Sequence, residues 1–441
     1  MIKVITYGSY DMLHYGHIRL LERAKALGDY LIVGVTSDDY DKTRGKINLT
    51  QSLMERVEAV RATGIADEII IEEYEGQKID DIKKYDVDIF TVGSDWEGYF
   101  DYLKDYCKVV YLPRTEGISS SEIREKQRSL KLGIVGDARF INKVWRESKS
   151  VNGLHVEALC STNVSVMDDE AREEISLLTQ DYDELLSCVD AVYIRSLPHL
   201  HYEQIKKALE AGRHVLCESP VTINEGQCNE LFELAQSKGL ILMEAVKTAY
   251  ATAYSRLLLL LKAGKIGEVV SVDAVCTSIR DMSDGNEWSG IYEWGPTALL
   301  PVFQILGTDY QDYRMTARFI SDDRDLFTRI SFTYKGAVGS IFVGDGVKSE
   351  GELIVSGTKG YIYVPAPWWK TDYFEVRYEN PADNRRYYYQ LDGEGIRYEL
   401  VSFVRGIESG RAGADIERNV TIAIAGVMES YVGRKKMDML S

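Results

Sequence analysis

The segment Gly8-Ser9-Tyr10-Asp11-Met12-Leu13-His14-Tyr15-Gly16-His17 holds two of the chain's six histidines, three residues apart around a glycine. Two imidazoles on one turn can aim at a single point and donate hydrogen bonds to phosphate oxygens as charge shifts during in-line attack on phosphorus. No covalent intermediate is needed. The same pair also reads as capping or core polar residues. A second cluster, Arg114-Thr115-Glu116-Gly117-Ile118-Ser119-Ser120-Ser121-Glu122-Ile123, joins a guanidinium and hydroxyls to a capping-box pattern from Ser119 to Glu122. Cation, hydroxyls and helix N-terminus together make a phosphate site. A well-capped helix alone leaves Arg114, Thr115 and Gly117 unexplained.

What must position these segments is a strand before each and a helix after it. Val4, Ile5 and Tyr7 predict a strand, Ile18 to Leu27 a helix stopped by Gly28, and Tyr30-Leu31-Ile32-Val33-Gly34-Val35 a second strand. This βαβ opening predicts a parallel sheet. Further strands are predicted at Glu68 to Ile71, Ile89 to Val92 and Val109 to Leu112, closing a first unit near Lys126. The histidines then follow the first strand, Gly93-Ser94-Asp95-Trp96-Glu97-Gly98 follows the fourth, and the Arg114 cluster follows the fifth.

From Val4 to Ile123 these segments resemble the glycerol-3-phosphate cytidylyltransferase family of the H-x-G-H nucleotidyltransferases. The resemblance implies CTP and a small polyol phosphate, such as glycerol 3-phosphate, as substrates. A phosphomonoester oxygen would attack the α-phosphorus of CTP to give a CDP-polyol and pyrophosphate. By matching position it implies a catalytic set of His14, His17, Lys46 and Arg114. It implies nucleotide- and substrate-binding roles for Gly8, Ser9, Tyr10, Asp11, Gly16, Arg56, Asp95, Trp96, Thr115, Gly117, Ile118, Ser119 and Ser120. The spacing in Lys42-Thr43-Arg44-Gly45-Lys46 departs from the family pattern, which leaves the choice of lysine open. Asp11 is a candidate to orient the histidines or to hold a Mg²⁺-bound water, because Mg²⁺ accompanies CTP and prefers oxygen ligands. No metal-ligand set is assigned.

After Glu125-Lys126-Gln127-Arg128 the pattern restarts with Leu132-Gly133-Ile134-Val135-Gly136, Val156 to Leu159, Ala191 to Ile194 and His214 to Leu216, predicting a second doubly wound sheet. Period-2 stretches at Val269 to Thr277, Phe327 to Tyr334, Ser340 to Val343 and Glu352 to Ser356 predict a large, mainly antiparallel sheet, with a helix closing the chain. The expected fold class is α/β. Its parts are an N-terminal Rossmann-like nucleotidyltransferase domain (1–128), a Rossmann-like dinucleotide-binding-type domain (129–250) and a C-terminal α+β domain (251–441).

Gly133 to Gly136, Ala191 to Ile194 with Pro198 and His201, Ala211 to Pro220, and Lys265 to Val269 with Gly295 resemble the glucose-fructose oxidoreductase and inositol dehydrogenase family of NAD(P)-dependent enzymes. That family's fold is implied for residues 131–436. Its activity is not, because the dinucleotide loop G-x-G-x-x-G reads here Gly136-Asp137-Ala138-Arg139-Phe140-Ile141, with an added negative charge at Asp137. The family's E-K-P lysine is Ser219, between Glu218 and Pro220, and its acid/base histidine is Thr297. A degenerate NAD(P) site is therefore expected at Gly136, Ala138, Glu218, Ser219, Pro220, Lys247 and Thr297, in a unit serving dimerisation, regulation or substrate delivery. Lys247 reads first as a solvated charge. With Tyr250 it also keeps open the alternative of a bifunctional enzyme whose second unit reduces a keto-sugar phosphate or keto-polyol. Cys160-Ser161-Thr162, where an NAD site often has an acid, leans any retained preference toward NADP.

A net charge of -17 on 441 residues disfavours nucleic acid, which is held by clustered Lys and Arg. Six cysteines without a C-x-x-C pair, and a strand-like start MIKVITYG, predict reduced thiols in the cytoplasm. Apolar stretches fall short of the ~18 to 20 residues of a membrane span, so no membrane insertion is expected. The second resemblance implies a homo-oligomer, dimer or tetramer, through the large sheet. The first implies use of the product in cell-surface phosphopolyol polymers such as teichoic acids or capsules.

Overall fold

The computed structural model describes residues 1–37, 49, 51–74, 76–113, 129–279, 290–321, 324–389, 391–410 and 415–440, in two compact units, Met1–Ser129 and Leu130–Ser441. In the first, β1 (Lys3–Gly8), β2 (Tyr30–Thr36), β3 (Glu68–Glu72), β4 (Ile89–Gly93) and β5 (Lys108–Leu112) form a parallel sheet in the order β3-β2-β1-β4-β5. These strands are near-continuous apolar runs because both sheet faces are covered. Val4 packs with Leu21, Val57 and Val60, on α1 (Tyr15–Lys25) and α2 (Leu53–Ala62). Its neighbour Ile5 turns to the other face, toward Phe90, Leu103 and Ile82 on α3 (Gln77–Tyr85). Gly34 lies in register beside Tyr7, and a Cβ there would run into the Tyr7 ring, whose hydroxyl donates to Asp81 at 2.9 Å. The strand order reverses between β1 and β4, and open α/β sheets take ligands at the carboxyl ends beside such a reversal.

In the second unit, β6 (Leu130–Val135), β7 (Leu154–Cys160), β8 (Leu177–Thr179), β9 (Ala191–Ile194), β10 (His214–Glu218) and β11 (Leu242–Ala245) form a parallel sheet ordered β11-β10-β9-β6-β7-β8. Its connections carry α4 (Ile141–Ser148), α5 (Asp169–Glu174), α6 (Tyr182–Cys188), α7 (Pro198–Glu210) and α8 (Glu225–Lys238). After α9 (Lys247–Tyr250) and α10 (Thr252–Lys262) comes a nine-stranded sheet. Its members are β12 (Val269–Thr277), β13 (Asp312–Ser321), β14 (Arg324–Thr333), β15 (Val338–Gly344), β16 (Leu353–Gly357), β17 (Tyr361–Val364), β18 (Tyr373–Arg377), β19 (Arg385–Tyr388) and β20 (Met437–Leu440). Helix α11 (Gly290–Leu306) packs against β12 and β15, while α12 (Ile396–Ser409) packs on α4 and α13 (Arg418–Val432) on α8.

Two expectations are corrected and one holds. The first helix begins at Tyr15, not Ile18, because His14 caps it. The nine-stranded sheet is mainly antiparallel, as expected, with parallel ladders at β12–β15 and β13–β20. The chain also passes beyond its last helix into β20, a four-residue strand too short for periodicity to reveal, whose partner β13 lies far back in sequence. Among the described residues no helix is long and apolar enough to cross a membrane, and all six cysteines are free.

Candidate functional site

The loop after β1 takes an uncommon backbone path. Tyr10 and Met12 have φ of 52° and 48°, a region that non-glycine residues enter only when their surroundings hold them there. Here the surroundings are specific. The Tyr10 ring is buried beside Gly8, where an added Cβ would come within 3.0 Å of it. Met12 N donates to Gln51 Oε1 at 2.8 Å, and Gln51 N donates to Asp11 Oδ1 at 2.9 Å. Arg56, fully buried on α2, donates from Nη1 to Ser9 O at 2.7 Å and to Thr36 O at 2.8 Å, and from Nε to Gln51 O at 3.2 Å. Asp11 and Arg56, grouped in the sequence with the ligand-binding residues, are buried and tie the ends of β1 and β2 to the start of α2.

This scaffold presents the histidines. His14 is the N-cap of α1, in extended backbone, and its Nδ1 accepts from Gly16 N at 3.0 Å. An accepting Nδ1 fixes the neutral tautomer with the proton on Nε2, so the ring has a donor at its other nitrogen. His17 stacks on it with ring centroids 4.0 Å apart and planes 21° apart, and Tyr10 meets His17 edge-on at 5.6 Å. The capping and chemical readings of His14 are compatible, because capping uses only one of its two ring nitrogens. The N-terminus of α1 adds its own preference for an anion. Across the strand-order reversal, Asp95 and Trp96 follow β4, with Trp96 packed on Tyr99 and Phe100. Lys46, Arg114, Thr115, Gly117, Ile118, Ser119 and Ser120 lie outside the described residues. Among the described residues no group of histidine, cysteine and carboxylate side chains has metal-binding geometry.

In the second unit, Gly136 has φ of +149°, and a Cβ there would strike the Arg195 carbonyl. The next residue, Asp137, accepts from Ser161 Oγ and Thr162 N, both at 2.7 Å, at the end of β7. Burial raises its carboxyl pKa, but those hydrogen bonds outweigh it and keep Asp137 ionised below the usual range. Ala138 stands where the loop pattern has its second glycine, and Ile141, at the third, is fully buried. Ser219, before a cis Pro220, donates to Glu244. Thr297 lies on α11, one residue after Pro296. Lys247 is not the solvated charge expected of it: its side chain is 22% exposed, 3.6 Å from Glu394, and burial first, then Lys370, pushes its pKa down. Nothing in the sequence points to the group of Lys143, Lys370, Glu394 and Glu399 around it, which comes from three separated stretches.

Two stacked histidines at a helix start, on a parallel sheet beside its order reversal, make the first unit a nucleotidyltransferase. Residues 5–126 match the family described as cytidylyltransferase-like, and the chain belongs to that family through this unit. It is 49% identical over 130 residues to the glycerol-3-phosphate cytidylyltransferase of Bacillus spizizenii, covering 30% of this chain and 100% of that protein. It is 50% identical over 126 residues to the Bacillus subtilis protein of the same name, covering 29% and 97%. Residues 130–246 match the oxidoreductase family with an NAD-binding Rossmann fold. A 3-ketoreductase from Actinomadura kijaniata, solved with NADP and TDP-benzene, aligns with a TM-score of 0.63 at 18% identity, covering 71% of this chain and 100% of that one. That likeness establishes the fold of the second unit.

Proposed function

We propose that the first unit transfers the cytidylyl group of CTP to glycerol 3-phosphate, giving CDP-glycerol and pyrophosphate for a cell-surface phosphopolyol polymer. The observation that carries this reading is the stacked pair His14 and His17 at the N-terminus of α1, with His14 Nδ1 accepting from Gly16 N. Relatives of that name, matched over their whole length at about half identity, support the substrate choice. His17, Lys46 and Arg114 complete the catalytic set, with Thr115, Gly117, Ile118, Ser119, Ser120, Asp95 and Trp96 on nucleotide and acceptor and Mg²⁺ on the triphosphate. Asp11 and Arg56 are positioning residues.

In the same reading the protein works in the cytoplasm as a homo-oligomer, with functional parts at 1–128, 129–250 and 251–441. Its second unit is a ligand-binding body that transfers no hydride. The absent glycines at 138 and 141 and the ionised Asp137 in the same loop support that. The test is pyrophosphate release by the full chain with CTP and glycerol 3-phosphate, beside His14→Asn, which keeps a capping side chain and removes the Nε2 donor. Loss of one such donor lowers kcat about 10²- to 10³-fold. Full activity in the variant would overturn the assignment. A fluorescence titration with NADPH and NADH checks the second unit: no binding at millimolar cofactor is expected, and micromolar binding would revive the reductase reading.

A further inference from the structure

Three lysines of the second unit converge on one carboxylate. Lys143 on α4 lies 3.1 Å from Glu394 Oε1, Lys247 on α9 lies 3.6 Å from Oε2, and Lys370, from the turn Trp368–Lys370, pairs with the same Oε2. The turn that carries Glu394 is built for this. Gly393 and Gly395 both have positive φ, and the buried Glu147 carboxylate accepts from Glu394 N and from Arg397 N at 2.9 Å, fixing the backbone at the start of α12. Glu394 is 29% exposed and Lys370 35%, so the cluster opens to solvent. It lies at the carboxyl ends of β10 and β11, where an open α/β sheet takes its ligands.

Behind the lysines lies an acidic floor. The Tyr193 hydroxyl contacts Glu218 Oε1 at 2.5 Å and Glu399 Oε1 at 3.3 Å, and Glu399 Oε2 is buried without a hydrogen-bond partner among the described residues. A buried carboxyl oxygen left in that state costs free energy until a donor or acceptor meets it. The remaining charges nearby are self-paired, Arg195 with Glu293 and Arg397 with Glu147. With Glu394 turned aside, three ammonium groups would face the two carboxyl groups of the floor, Glu218 and Glu399, a surplus that an anion matches.

We propose that this cluster binds a small phosphomonoester bearing hydroxyl groups, its phosphate replacing the Glu394 carboxylate among Lys143, Lys247 and Lys370 and its hydroxyl end facing Glu218 and Glu399. The inference stands on the second unit alone and survives failure of the cytidylyl-transfer reading.

The test is acetylation of lysines in the full chain by acetic anhydride, with mass spectrometry reporting Lys247 and Lys370 individually and exposed Lys238 as the internal reference. The probes are inorganic phosphate, glycerol 3-phosphate and lactate. Glycerol 3-phosphate is expected to slow acetylation of both lysines several-fold, inorganic phosphate to do so at higher concentration, and lactate to have no effect. Glu394→Gln, which removes the competing charge, is expected to lower the half-protecting concentration about tenfold, and Lys370→Gln to raise it. Absence of protection at about 10 mM glycerol 3-phosphate, a very weak Kd, in both the wild type and Glu394→Gln overturns the proposal. Equal protection by lactate overturns the phosphate assignment, and equal protection by inorganic phosphate overturns the hydroxyl-facing half.

Discussion

At the scale of single residues, chemistry was easier to read than support. His14 and His17 stood out because two imidazoles around a glycine, between a strand and a helix, suit an anion as well as a cap. The supporting bonds of Arg56 did not, because a guanidinium that donates to three backbone carbonyls looks in sequence like any other arginine. The distinction is testable. Arg56→Met should lower the first unit's stability by about 3 kcal/mol, the scale of lost charge-assisted hydrogen bonds in a buried site, measured by urea unfolding. The Lys143, Lys247, Lys370 and Glu394 cluster was illegible for another reason: its members are far apart in sequence and only tertiary packing assembles them. Glu394 also gives a pH prediction. Burial would raise its carboxyl, but Lys370 and Lys143 hold it down from 4.5 to about 2. The unfolded chain therefore takes up a proton near pH 4.5 that the folded chain refuses until about 2, and stability is lost as pH falls through that window. Glu394→Gln should lose less thermal stability than the wild type across the same range.

At the scale of elements, the parallel strands were legible because strands buried on both faces are near-continuous apolar runs, as β1, β2 and β9 are. Helix starts were less so, since the cap of α1 is a histidine, outside the usual capping set. Close approaches between elements were invisible in sequence and are the places where small changes should matter. Gly136→Ala pushes a methyl at the Arg195 carbonyl between the ends of β6 and β9 and forces a strained φ, which should cost the second unit about 1–3 kcal/mol in thermal unfolding. Cytidylyl transfer by the first unit should be unchanged in that variant.

At the scale of the whole molecule, two units with separate cores predict two unfolding events. Scanning calorimetry should resolve two transitions, the Arg56→Met change moving one and Gly136→Ala the other. A single transition shifted equally by both variants would show the units unfold as one. The nine-stranded sheet has a separate consequence for how the protein is made. Strand β13 is synthesised long before β20, its parallel partner, so one edge of a large sheet waits on the ribosome with its backbone groups unmet. Exposed edges of this kind recruit other chains. Asp312, Arg314 and Arg318 place charge along the waiting strand, and Asp312 and Arg314 later pair with Lys436 and Asp438 as β20 closes the edge. The same charges that fasten the finished sheet would thus guard the unfinished one, and neutralising them should show first as aggregation during synthesis rather than as a weaker folded protein.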